Sequence, residues 1–440
     1  MKTHVTSLSA ASLLALCCAV APACGGLAET NDIGPDPADS GWEDSGAPEP
    51  PSLQTFLLDW YADYDANESV GYLDDGGTWE AWSYAGIDYS VVRDAHYGPH
   101  GERTSLDIYL PESQSSATPV VLFIHGGGFR SKDKTNVSER ADVVAQYLAQ
   151  GIAVASINYR FRADGLSETV AAPAWDCKGT VADNDGCRLD IIYRDGARAV
   201  QYLRYRSTEF NLDPDRIGAW GRSAGSQIAT WVALVPDLAV ADHPDPVLRQ
   251  STRLQAVGHT NSQATGPSYL WVDLVVLQLA SPSSDCDAED LWRRLGDDGD
   301  DGDTGDDGDD GDEQTGFNDA LQSTIFDLEN TPGGQDLIRV VHFLDLMDAS
   351  APPFITSSPV RDLTCDELAA MTDDALKGKL THHPRHSDPL YARCLAEKGP
   401  DECEIVTDVQ DSYTGEDPLV LNEGESHAAD FIGGWLLADE

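Results

Sequence analysis

Residues 221–225 read Gly-Arg-Ser-Ala-Gly, and they join a short apolar run, Arg216–Trp220, to a predicted helix, Ser226–Val235. A serine on so tight a strand-to-helix turn stands proud of the backbone, and only glycine fits close on either side of it. Ser223 is therefore the candidate nucleophile. The bland alternative is an ordinary turn serine, which the strand–turn–helix context argues against.

A second signal is His125-Gly-Gly-Gly-Phe129, directly after the apolar run Pro119–Ile124. Three successive glycines leave backbone N–H groups free to approach a ligand. The N–H groups of Gly127 and Gly128, with that of Ala224 just past the nucleophile, form a candidate oxyanion hole. The G-x-x-x-x-G-K-[ST] pattern of a phosphate loop is absent. His125 reads as an architectural residue of this loop.

A hydroxyl needs a base to attack. His427, in Gly424-Glu425-Ser426-His427, fits best, expected on a loop ahead of a closing helix that carries Ala428, Phe431, Ile432 and Trp435. The group that orients this imidazole must be a carboxylate past a strand end and before the histidine. Asp362 follows the strand Ala351–Thr356; Asp388 is the alternative, and also suits the start of a helix Pro389–Lys398; Asp366 is a third choice.

Positioning these groups requires alternating strands and helices. Gly86–Asp94 and Thr104–Leu110 read as an antiparallel pair. Pro119–Ile124 is apolar throughout, as a strand buried on both faces should be. Ser138–Gln150 reads as a helix closed by Gly151, and Ile152–Tyr159 as the next strand. Ile192, Gly196, Ala199, Val200 and Leu203 share one helical face. Arg216–Trp220, Thr252–Val257, Pro353–Thr356 and Glu404–Thr407 supply later strands. The expected class is α/β, a mostly parallel sheet covered on both faces.

Taken together, Ser105–Pro111, His125–Phe129, Asn158-Tyr159-Arg160, Asp195–Val200, Asp213–Ile217 and Gly221–Gly225 resemble the carboxylesterase branch of the α/β hydrolases. That branch includes feruloyl-esterase-like and hormone-sensitive-lipase-like enzymes. The likeness covers about residues 80–260 closely and 350–440 loosely. It implies hydrolysis of small carboxylic esters through an acyl-serine, with no metal or organic cofactor. It also implies the chain order Ser…Asp…His, with Ser223 as nucleophile, His427 as base, and Gly127, Gly128 and Ala224 as oxyanion donors. The usual His-Gly-x-x-Asp after the penultimate strand is replaced here by Ser357–Asp362. A hydrolase-fold binding protein without turnover and a serine peptidase are the rival readings. No repeat of a propeller type precedes the domain, which counts against the peptidase.

The 440 residues carry 28 Lys+Arg against 76 Asp+Glu, a formal net charge of −48. Such a chain repels nucleic acid and is a poor candidate for holding an anionic membrane face through basic patches. Residues 1–24 read as an export signal. Cys24, preceded by Ala and followed by Gly25-Gly26, fits a lipoprotein site, and Ala21-Pro22-Ala23 also suits simple cleavage. The protein is thus expected in the cell envelope or outside it, touching membrane only through a lipid on Cys24. Residues 25–50 hold seven acids, four prolines and no base, the composition of a tether. Residues 51–440 form the hydrolase domain, with an insertion or lid at about 264–347. Within it, 297–313 holds ten Asp and a glycine every third position from Gly299 to Gly311. A solvated disordered loop is the expectation there, with calcium binding as the sharper rival.

Nine cysteines include three in the signal; the other six suggest disulfides, with Cys177–Cys187 and Cys394–Cys403 the close pairs and Cys286–Cys365 left over. His382, His383 and His386 near Cys394 read as exposed histidines at a helix start rather than zinc ligands, since no C-x-x-C accompanies them.

Overall fold

The computed structural model describes residues 76–161, 189–264, 342–406 and 418–438, short gaps at 85, 113–115, 130, 359–362, 373–374, 377–378 and 380–381 aside. The export signal, the tether, the acidic run 297–313, nearly all of the insertion, Cys177, Cys187, Cys286 and Asp362 lie outside the described residues.

Nine strands form one sheet: β1 (Thr78–Tyr84), β2 (Ile87–His96), β3 (Ser105–Leu110), β4 (Thr118–Ile124), β5 (Ala153–Ile157), β6 (Leu212–Arg222), β7 (Val257–Thr260), β8 (Phe354–Ser357) and β9 (Cys403–Val406). Their order is β1-β2-β3-β5-β4-β6-β7-β8-β9. The β1–β2, β2–β3 and β3–β5 pairs are antiparallel. Every pair from β5–β4 to β8–β9 is parallel.

The apolar run on β4 is buried at every position. Its alternate residues feed opposite faces: Val120, Leu122 and Ile124 join one core, Val121 and Phe123 the other. The first face is covered by α2 (Leu189–Tyr205), α3 (Ala224–Leu234) and α4 (Ser387–Lys398), and the second by α1 (Ala141–Ala149) and α5 (Pro418–Leu437). Cys394 on α4 and Cys403 on β9 form a disulfide that ties the last strand to the helix before it. Cys365 is also disulfide-bonded.

Three elements differ from the sequence expectation. The edge strand β1 was not foreseen, since most of its residues are exposed and offer no apolar pattern. The strand expected at Thr252–Val257 begins only at Val257. Upstream, side chains hold the backbone in place of a ladder: Asp237 accepts from the Thr252 N–H, and the Arg204 guanidinium binds the carbonyls of Ser251 and Arg253. The closing helix starts at Pro418 rather than after His427, so the loop expected to carry His427 is helix instead. The Asp213–Asp215 turn is present as an irregular start to β6, where Asp213 accepts from the Asp215 N–H and pairs with Arg216.

Candidate active site

Ser223 follows β6 and caps α3, with φ 50° and ψ −121°. That left-handed backbone costs a side-chain-bearing residue on the order of 1–3 kcal/mol and persists only where neighbours enforce it. They do. The Ser223 N–H donates to the Thr260 carbonyl at 3.0 Å. A Cβ on Gly225 would collide with the backbone oxygens of Ile124 and His125, and one on Gly221 with Gly225. The two elbow glycines are therefore required by close approach, and the serine is turned out between them.

The triple-glycine loop packs against this elbow. A Cβ on Gly126 would lie 3.0 Å from the Arg222 oxygen and 3.1 Å from the Ser223 Cβ. Gly127 and Gly128 have φ +112° and +62°. Among the described residues, no group accepts a hydrogen bond from the N–H of Gly127, Gly128 or Ala224. Tyr159 anchors the loop from below, its hydroxyl donating to the carbonyls of His125 (2.9 Å) and Gly126 (3.3 Å). The His125 ring stacks on Tyr159 with centroids 4.4 Å apart, and its Nδ1 lies 2.6 Å from the Gly126 oxygen. Burial pushes this imidazole down to about 4, so it is neutral at neutral pH and Nδ1–H donates. His125 is thus placed as a brace for the loop.

The imidazole against the Ser223 hydroxyl is that of His382, with Nε2 2.8 Å from Ser223 Oγ. It arrives between β8 and α4. Ser358, just past β8, donates to the His382 carbonyl at 3.2 Å. The neighbouring hydroxyls of Ser262, Thr356 and Ser387 bind one another within 3.1 Å, joining the ends of β7 and β8 to the first turn of α4. His383 and His386 are fully buried rather than exposed: His383 Nδ1 accepts from the Arg385 N–H and its Nε2 meets the Leu363 carbonyl, while His386 Nδ1 accepts from the Ala264 N–H. The expectation of an exposed cluster is corrected on this point.

His427 is placed elsewhere. On α5 the residues facing the sheet are Glu425, Ala428, Ala429, Ile432 and Leu436, all fully buried. Helical phase then turns His427 outward, where it is exposed. The structure puts His382, not His427, on the Ser223 hydroxyl. Asp388 is exposed in the first turn of α4. Asp366 is exposed at the start of the short helix Cys365–Ala369, which opens with a Thr364/Glu367 capping box. Among the described residues no three His, Cys, Asp or Glu side chains converge as metal ligands.

Sequence reasoning missed His382 because the motif order directed attention to the last histidine. A paired His-His shortly after the penultimate strand was the available signal. It also missed Glu425, a buried carboxylate behind the elbow.

The BD-FAE family model matches residues 106–182, the stretch that holds β4, the triple-glycine loop and β5. The mostly parallel strand order, the serine elbow after β6 and that match agree in giving the chain an α/β-hydrolase fold. Its curated relatives include Secreted lipase 5 of Gibberella zeae, 26% identical over 35% of this chain and 27% of that protein. Chlorogenic acid esterase of Aspergillus niger is 30% identical over 28% of this chain and 22% of that protein. The chain therefore spans about a quarter of the length of these relatives. Among solved structures, a truncated carbohydrate esterase from gut microbiota is similar at TM-score 0.46 and 14% identity, covering 83% of this chain and 100% of that one. Thermogutta terrifontis esterase 2 is similar at TM-score 0.42 and 14% identity, covering 83% and 97%.

Proposed function

We propose that this protein cleaves small carboxylic esters through an acyl-serine intermediate. The observation that carries the reading is the hydroxyl of Ser223, on a left-handed elbow, within 2.8 Å of an imidazole nitrogen. Ser223 Oγ attacks the ester carbonyl while His382 Nε2 takes its proton. The carbonyl oxygen, now an anion, is held by the N–H groups of Gly127, Gly128 and Ala224. One such donor is worth roughly 3–4 kcal/mol to the transition state. Collapse expels the alcohol, which takes the proton back from His382. Water then enters by the same route and frees the acid. Asp362 is the carboxylate proposed to orient the imidazole, with Asp388 as the alternative.

The esterase names among the relatives support this chemistry. Residues 1–24 and the secreted relative support an exported protein. The test is hydrolysis of short p-nitrophenyl esters. Wild type is expected to turn over and Ser223→Ala to fall to the background rate; equal rates would end the assignment.

A further inference from the structure

Arg222 sits between two parts of the site. Its carbonyl packs against Gly126 of the oxyanion loop, and its chain neighbour is the nucleophile. Strand side chains alternate, so Arg222 leaves the end of β6 on the same face as Trp220, two residues earlier, while Ser223 is turned out by its own left-handed backbone. Ser223 reaches His382, and Arg222 turns to the face covered by α1 and α5. There its Nε lies 3.9 Å from Glu425 Oε1, and Arg140 Nε, at the foot of α1, lies 2.6 Å from Glu425 Oε2. The Glu425 side chain is wholly buried, and those of Arg140 and Arg222 are 6% and 16% exposed. A carboxylate in such a place is costly unless cations meet it.

We propose that Glu425 is a positioning residue for ester hydrolysis. Its carboxylate grips Arg222 and Arg140, and so locks the elbow and the oxyanion loop to the α1–α5 face. The proposal rests on the reading of Ser223 as nucleophile. It accounts for a polar cluster in a face otherwise built from Val143, Val144, Ala429, Ile432 and Leu436. Burial pushes the Glu425 carboxyl up to about 7, against the pull of Arg140, with Asp142 and Glu139 pushing the same way. Tyr147 on α1 also feels this carboxylate, together with Asp430 on α5. The grip therefore strengthens as pH rises through about 7 and Glu425 ionises, and weakens as it takes a proton on the way down.

The experiment is steady-state kinetics on p-nitrophenyl acetate at pH 6 and pH 8 for wild type, Glu425→Gln, Arg222→Met and the double variant, each with a melting curve. At pH 8, Glu425→Gln should lose at least about tenfold in kcat with KM within twofold, without a lower melting temperature. The gap should narrow at pH 6, where the wild-type carboxyl is itself protonated. Arg222→Met should show the same loss, and the double variant no more than either single one. Should Glu425→Gln fail to fold, Arg222→Met decides: kcat within twofold of wild type overturns the proposal. Full activity in Glu425→Gln overturns it equally. A wild type that neither hydrolyses the ester nor reacts at Ser223 instead overturns the esterase reading, and the positioning role with it.

Discussion

Ser223 holds its unusual backbone because three groups leave it no other: the Thr260 carbonyl on its N–H and glycines at 221 and 225. The identity of its base can be tested residue by residue. His382→Ala is expected to lower kcat by on the order of 10³-fold or more, with KM little changed. His427→Ala, on the outward face of α5, is expected to stay within twofold. The reverse pattern in p-nitrophenyl ester kinetics would restore His427 to the role that chain order assigns it. The serine elbow and the close approach of the triple-glycine loop were legible because glycine spacing encodes backbone approach locally. The histidine that meets Ser223 was not legible, because a histidine's reach depends on where a loop folds. His125 and His259 show the same limit: burial drives them down to about 4 and about 3, and no sequence pattern marks them as buried.

Elements carry the site by their ends. β4 delivers the glycine loop, β6 the elbow, and the end of β8 the Ser358 hydroxyl that holds the His382 segment. The apolar run of β4 was readable because both its faces are buried; β1 was not, because its stability comes from pairing along β2 rather than from its own burial. β7 was shifted because Thr252 and Asp237 satisfy backbone that an alternating pattern alone would send into the sheet. The fit between loop and elbow makes a quantitative expectation. Gly126→Ala places a methyl 3.1 Å from the Ser223 Cβ, so the loop must retreat from the oxyanion position. We expect kcat to fall by about 10²–10³-fold with the fold retained by circular dichroism. Gly151→Ala is the control. Its φ is +79° with open space around it, so it should cost about 1 kcal/mol of stability and leave kcat unchanged.

At the scale of the molecule, four segments far apart in sequence, around residues 126, 223, 382 and 425, meet at one end of a single sheet. The net charge of −48 bears on which ligands approach this protein and says nothing of how those segments converge. Alternation of strand and helix made the layered architecture legible, since a parallel sheet needs a crossover between each pair of strands. The meeting of Arg222 with Glu425 was not, because a buried ion pair has no period and no spacing to read. If the assembled fold is what activates the serine, reactivity must belong to the folded chain and to one residue in it. The direct measurement is labelling of the native protein with a fluorophosphonate, followed by peptide mass spectrometry. The account predicts a single phosphonyl adduct on Ser223, absent from Ser223→Ala and from the unfolded chain. A native wild type that takes no label, or takes it on another residue, would contradict it.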